Sequence, residues 1–180
     1  MSQLKEKFNN TIIQELKDEL ALSSVSAVPR VLKVVVSAQT GSIKEDRDAI
    51  ESIRKELGDI VGQMPKVNLS RKAVSAFKLR IGQPVGLTAT LRGTKMYDFL
   101  TRLTNVALPR VRDFKGLSRG SFDGRGNYSI GITEHVIMPE AKYEGSSRVF
   151  GFQINITTTA KDDKQAEALL TKLGFPFEKV

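Results

Sequence analysis

The chain has 180 residues, with 28 Lys and Arg against 20 Asp and Glu, a formal net charge of +8, one His and no Cys. This length suits a single domain that buries its own core; the missing Cys excludes disulfides, thiolate metal sites and Cys nucleophiles, and a lone His135 argues against His-rich metal centres and His-based triads. No apolar run reaches the ~18–20 residues of a membrane span and MSQLKEKF lacks a signal peptide's apolar stretch, so a compact, basic, intracellular protein is expected.

Residues 3–22 place Leu4, Phe8, Ile12, Leu16 and Leu20 at every fourth position, with Ile13 beside them, which predicts an amphipathic helix. The Ser23–Ser26 stretch and Pro29 end it. Arg30–Ser37 is short and β-branched and predicts a strand that Gly41 breaks. Ile50, Ile53, Leu57, Ile60 and Val61 share one face of a second helix over about Ile43–Val61, with Gly62 as its C-terminal cap. Lys66–Leu69 predicts a short strand, Ser70–Gly82 a basic irregular stretch, and Pro84–Arg92 a strand of clean alternation. Thr94 is placed to cap a third helix that carries Met96, Phe99, Leu100, Leu103 and Ala107 and ends before Pro109. Arg110–Gly126 reads as a long loop rich in Gly and Arg. Asn127–Thr133 and Val149–Thr158 read as strands, and Asp162–Leu173 as a last helix closed by Gly174 and Pro176. There is no repeat and no Pro- or Ser-rich linker. The order predicts an α+β fold, one domain over residues 1–180, with helices on one face of the sheet.

The charge is concentrated. Residues 61–120 hold 12 basic and 2 acidic side chains, while each flanking third is nearly neutral. A solubility surface usually mixes both signs; a one-signed block attracts polyanions, of which nucleic acid is the commonest in cells. Three strands also alternate alike. Val85, Leu87, Ala89 and Leu91 oppose Gly86, Thr88 and Thr90; Tyr128, Ile130 and Ile132 oppose Ser129, Gly131 and Thr133; Phe152, Ile154 and Ile156 oppose Gln153, Asn155 and Thr157. The apolar sides belong under helices. The other sides are small, polar and uncharged, which reads either as a docking face for a flat partner or as a plain solvated face of a Thr-rich sheet.

Two loops interleave basic and aromatic residues. KVNLSRKAVSAFKLRIGQP holds Lys66, Arg71, Lys72, Lys78 and Arg80 around Phe77 and contains no acid. Phe77 is either a base-stacking side chain, worth about 1–3 kcal/mol per base, or a core anchor pinning the loop. ALPRVRDFKGLSRGSFDGRGNYSIGI spreads Arg110, Arg112, Lys115, Arg119 and Arg125 around Phe114 and Phe122. Arg suits planar, bidentate phosphate contact; Asp113 is placed to pair with one of them, and Gly124 and Gly126 read either as a weak phosphate-cradling motif, with no GxGxxG after a strand to support it, or as residues of tight turns. No GxxxxGK[ST], HExxH or GxSxG occurs. Carboxylates gather at Glu15, Asp18 and Glu19 and at Glu45, Asp46, Asp48 and Glu51, the pattern of solvated helix faces. His135 reads as structural, and no enzyme, cofactor or metal is indicated.

In these motifs the chain resembles the bacterial ribosomal large-subunit protein five family, the 5S rRNA-binding proteins of the central protuberance. The resemblance is carried by VPR at 28–30, GQMP at 62–65, AFKLRIGQPVG at 76–86, LRG at 91–93, MYDFL at 96–100, ALPRVRDFKGLS at 107–118, SFDGRGNYSIGI at 121–132 and TTAKDDKQAEALLTKLGFPF at 158–177. It implies a curved antiparallel sheet with helices on the convex side, and 5S rRNA held by the concave face and adjacent loops. It places family contact positions on Gln63, Phe77 and Thr90, in a candidate set with Ser37, Thr88 and Arg92. It implies that the loop with Arg71, Lys72, Ser75, Lys78 and Arg80 approaches P-site tRNA. It places Arg110, Arg112, Lys115, Arg119 and Arg125 near RNA and the bridge to protein thirteen of the small-subunit head. Further implied partners are 23S rRNA and large-subunit proteins eighteen and twenty-five, with the chain a monomer in the cytoplasmic ribosome and no membrane partner.

Ser37 departs from the family, which places an Asn there; Ser keeps a hydroxyl and lacks the amide's paired donor and acceptor. KYEGSSRVF at 142–150 reads as a stretch that varies within the family. Two other readings remain beside the resemblance: a general RNA- or tRNA-binding accessory factor outside the ribosome, and an RNA-modifying enzyme on an α+β scaffold.

Overall fold

A computed structural model describes residues 3–43, 45–141 and 149–178; Lys44 and residues 142–148 of the KYEGSSRVF stretch lie outside the described residues. In chain order the elements are α1 (Gln3–Lys7), a π-helical turn (Phe8–Ile12), α2 (Ile13–Glu19), β1 (Val31–Gln39), α3 (Arg47–Val61), β2 (Lys66–Leu69), β3 (Pro84–Leu91), α4 (Gly93–Arg102), a second π turn (Leu103–Ala107), β4 (Tyr128–Ile132), β5 (Phe152–Thr158) and α5 (Asp163–Lys172). The strands form one antiparallel sheet in the order β2-β3-β1-β5-β4, and the fold is α+β as the element order implies. Alternation decides what each strand buries. Val34, Val36 and Ala38 of β1, Leu87, Ala89 and Leu91 of β3, Ile130 and Ile132 of β4, and Ile154 and Ile156 of β5 are all buried. The intervening positions, including Thr88, Thr90, Ser129, Gly131, Gln153 and Asn155, are half-buried or exposed.

The chain forms two compact units, each discontinuous in sequence. The first takes the described residues of Met1–Val34, Leu91–Ile130 and Asn155–Val180; the second takes those of Val35–Thr90 and Gly131–Ile154.

In the first unit, Phe8, Ile12 and Leu16 are buried, and Phe8 packs on Tyr97 with ring centroids 6.1 Å apart. Apolar residues at every fourth position overshoot a helix of 3.6 residues per turn. The wider π turn at Phe8–Ile12 absorbs that excess and keeps the stripe on one side. Burial pushes the Tyr97 hydroxyl's pKa above its ordinary value. The third helix starts differently from the expectation. Arg92, in extended conformation, is the capping position of α4 and makes no side-chain cap bond, so Thr94 is not the cap. Gly93 opens the helix with φ 59, a conformation that glycine tolerates without a Cβ clash. Past the π turn, Pro109 lies inside a tight Leu108–Arg110 turn rather than beyond the helix end.

In the second unit, α3 buries Ile50, Ile53, Leu57, Ile60 and Val61, each full burial of an aliphatic side chain stabilising by about 1.5–3 kcal/mol. The helix begins at Arg47, not Ile43, because the Asp46 side chain accepts from the Ala49 N–H at 3.0 Å and ends the preceding turn. Gly62 closes it as expected, with φ 74 and its N–H bonded to the Gly58 carbonyl at 2.8 Å.

Candidate nucleic-acid interface

The second unit gathers five of the candidate positions: Ser37, Gln63, Phe77, Thr88 and Thr90. β2 and β3 pair antiparallel with Lys66 opposite Thr88, Val67 opposite Leu87 and Asn68 opposite Gly86. The polar side of β3 therefore continues onto Lys66 and Asn68. Gln63, in the turn after α3, donates from Nε2 to the Thr90 carbonyl at 3.2 Å. That bond ties the turn to the strand and leaves the Gln63 carbonyl oxygen to accept from a partner. Ser37 lies half-buried on β1 and lines a shallow cleft of about 260 Å3 with Gln39, Ile132, Gly151, Phe152 and Gln153. Arg92 is exposed and belongs to the first unit.

The stretch Ser70–Gly82, expected to be irregular, forms a small hairpin together with Gln83. The Ser70 N–H bonds to the Gln83 carbonyl, Gly82 N–H to Ser70, and Val74 and Leu79 exchange both backbone bonds at 2.9 and 3.0 Å. Ser75–Phe77 makes a tight turn at the tip, and Lys78 follows with φ 48. Phe77 is 74% exposed, which removes the core-anchor reading, and Ile81 is 71% exposed. Arg71, Lys72, Ser75, Lys78 and Arg80 are all exposed. Ser75, Lys78 and Arg80 line a cleft of about 690 Å3 with Ala73, Leu79, Gln83 and Glu45. Glu45 brings a carboxylate to a stretch that has none of its own.

Residues 110–127 belong to the first unit and are held from several sides. Phe122 packs on Tyr128 (4.5 Å) and Phe177 (5.9 Å). The Tyr128 hydroxyl donates to the Ser118 carbonyl at 2.7 Å, and burial raises that hydroxyl's pKa above its ordinary value. The Asp163 carboxylate accepts from the N–H groups of Gly124 and Gly126 at 3.1 and 3.0 Å. Asp123 accepts from the Arg125 and Asn127 N–H groups and from the Asn127 side-chain amide. The Asn127 amide, then the backbone N–H, holds its carboxyl below the ordinary range. Thus Gly124 and Gly126 do make tight turns, with φ 78 and 76. Asp113 shapes its own turn through a left-handed backbone, φ 52. Among the described residues Arg119 makes a close ion pair, 2.7 Å from Glu167. Arg110, Arg112, Lys115 and Arg125 are exposed.

His135 lies in the interior of the second unit. It is fully buried, stacks on Phe150 at 4.2 Å, accepts the Phe150 N–H on Nδ1 at 3.3 Å and faces Glu56 with Nε2 at 3.2 Å. The first contact makes Nδ1 the acceptor and so puts the proton on Nε2, aimed at the carboxylate. Among the described residues no group of three or more His, Cys, Asp or Glu gathers to hold a metal ion, and no helix is long and apolar enough to cross a membrane.

Asn68 was missed by the sequence reading. It is half-buried on β2 and donates from Nδ2 to Thr88 Oγ1 at 2.6 Å. The available signal was an Asn inside a strand, where that residue is disfavoured.

A family model for the C-terminus of the ribosomal L5 family matches residues 84–177, and one described as ribosomal protein L5 matches residues 24–80. The chain is 47% identical over 178 residues to the large ribosomal subunit protein uL5 of Microcystis aeruginosa, covering 98% of this chain and 99% of the relative. Against the protein of the same name from Chloroflexus aurantiacus it is 45% identical over 174 residues, 97% of each chain. Against that of Spiroplasma kunkelii it is 48% identical over 176 residues, 98% of each.

Proposed function

Since the chain belongs to the ribosomal protein L5 family, and is as such a structural constituent of the large ribosomal subunit, we propose that it binds 5S rRNA through the polar side of β2 and β3 and helps attach that RNA in the central protuberance. The family is named for a ribosome component rather than for a reaction, and its members work in the cytoplasmic ribosome. The observation that carries the proposal is the Gln63–Thr90 bond at 3.2 Å. It joins two positions that the family resemblance gives as RNA contacts, from a turn and a strand 27 residues apart. Within the second unit Ser37, Gln63, Phe77, Thr88 and Thr90 offer hydroxyls, an amide and one exposed ring, and Arg92 of the first unit is a separate candidate contact. Those are the groups that recognise splayed bases and 2′-hydroxyls in an RNA loop.

The finer assignments follow from the same reading. The cleft beside Lys78 and Arg80 suits a phosphate run of P-site tRNA, with Arg71, Lys72 and Ser75 on the same hairpin. Arg110, Arg112, Lys115 and Arg125 stand exposed for 23S rRNA or for protein thirteen of the small-subunit head; Arg119 contributes less net charge because Glu167 pairs with it. Proteins eighteen and twenty-five are the expected neighbours, with residues 1–180 acting as one RNA-binding domain.

A competition series of 5S rRNA against bulk tRNA across salt tests the central claim. The 5S rRNA is expected to win at every salt concentration. Gln63→Ala and Thr90→Val are expected to weaken it more than Lys55→Ala on the exposed side of α3. Equal affinity for both RNAs throughout would overturn 5S rRNA recognition and leave a general RNA-binding accessory factor.

A further inference from the structure

We infer that Asn68 and Thr88 form an additional reading position, which takes the edge of one nucleobase with Lys66 at its phosphate. This rests on the RNA-binding reading above and deepens it.

Asn68 Nδ2 donates to Thr88 Oγ1 at 2.6 Å. The hydroxyl oxygen is thereby an acceptor, and its own proton must point to another group. What remains is an oriented set: the Thr88 O–H as donor, and the Asn68 carbonyl oxygen and second amide proton beside it. Adjacent donor and acceptor match a base edge that presents a ring N–H next to a carbonyl, as guanine and uracil do. Two features keep the position open. Gly86, directly opposite Asn68, has no side chain to cover the amide; a Cβ there would lie 3.1 Å from the Ala38 carbonyl oxygen. The ladder also shifts register between Asn68 and Leu69, and such bulges re-aim neighbouring side chains.

Lys66 supplies the charge. It is paired with Thr88 across the strands, so both side chains leave the same face, and it is exposed. A cation next to a hydrogen-bonding pair fits one nucleotide, phosphate and base together. A hydrophobic or cationic partner would gain nothing from it.

The test measures 5S rRNA and bulk tRNA binding across salt for the wild type, Asn68→Thr, Thr88→Val, their double variant and Lys66→Gln. Thr is a better strand former than Asn, so Asn68→Thr keeps the fold while removing the amide; a thermal melt checks this. Asn68→Thr is expected to lower 5S rRNA affinity about 5- to 100-fold, the scale of one lost base-edge contact, with tRNA affinity unchanged. The double variant should lose no more than the larger single loss, because the two side chains act as one unit. Lys66→Gln should weaken both RNAs and reduce the salt slope by about 0.7 for a single-stranded contact. Wild-type selectivity retained in Asn68→Thr and Thr88→Val, or losses that simply add, would overturn this inference while leaving 5S rRNA binding intact. A wild type with no preference for 5S rRNA would overturn the underlying reading and this one with it.

Discussion

Residues 70–83 hold Phe77 out in solvent, while residues 110–127 fold Phe122 onto Tyr128 and Phe177. Both stretches are basic and both interleave aromatics, yet they are mounted in different ways. The first is a hairpin whose backbone bonds close within itself, Ser70 to Gln83 and Val74 to Leu79. The second is tied to residues far along the chain: Asp163, Glu167 and Phe177. Charge pattern sets where a polyanion is drawn. The mounting sets whether the loop reshapes around it or offers a fixed surface. A locally closed hairpin opens at lower cost than a loop sharing bonds with a helix.

The largest expected effect compares two glycines. Gly126 has φ 76, and a Cβ there would lie 2.9 Å from both the Ala160 Cβ and the Ala160 carbonyl oxygen. Gly126→Ala adds backbone strain to a clash and should cost about 2–4 kcal/mol. Gly82, in the hairpin, has a similar φ of 83 with nothing within 4 Å of that position. Gly82→Ala meets the strain alone and should cost about 1–2 kcal/mol. Urea unfolding of both variants reads the difference. Equal costs would mean the two loops are mounted alike.

The aromatics sharpen the contrast from the binding side. Phe122→Ala removes a ring packed between Tyr128 and Phe177 and should destabilise by about 1–3 kcal/mol. Phe77→Ala should shift stability by no more than about 0.5 kcal/mol, and cost about 1–3 kcal/mol in RNA affinity if a base stacks on it. A Phe77→Ala protein that melts early but binds RNA normally would reverse the assignment of the two rings. Asp163→Ala should cost about 1–2 kcal/mol, because the Gly124 and Gly126 N–H groups lose their acceptor. Faster amide exchange is expected at Gly126 and unchanged exchange at Leu79.

What was legible in the sequence follows the reach of each signal. The two-sided strands were legible because alternation is local and strict: Leu87 and Ala89 are buried where Thr88 and Thr90 are not. Gly62 and Gly174 were legible as helix ends for the same reason, a positive φ just past an apolar stripe. Helix starts were less so, since Ile43 continues the apolar phase and only the Asp46 cap shows where the turn gives way. Phe77 had no periodic context, and an isolated aromatic in a loop reads equally as anchor or as ligand. The hold of Asp163 on Gly124 and Gly126 joins positions 39 and 37 residues apart, beyond any local pattern. Asn68 was hidden because its partner, Thr88, lies on the next strand.

The smallest expected effect separates the two loops by the groups that close their local turns. The Asp123 carboxyl is held below its ordinary value of 3.8, first by the Asn127 side-chain amide and then by the Asn127 backbone N–H. As pH falls, the unfolded chain therefore takes up this proton before the folded chain does. The contribution of Asp123 to stability is complete above 3.8 and is lost as pH drops through 3.8 toward the lower folded value. The side chain is exposed, so water screens the effect and it stays small. It is still readable locally. The Arg125 and Asn127 amides donate to Asp123, so their NMR shifts should titrate together with a midpoint below 3.8, and Asp123→Asn should abolish that titration. The Val74 and Leu79 amides donate to backbone carbonyls, which have no proton to gain, and should stay flat over the same range. Parallel titration of all four amides would mean that the hairpin, too, is held by a carboxylate, and the contrast between a turn closed by a titrating side chain and one closed by groups that do not titrate would fail.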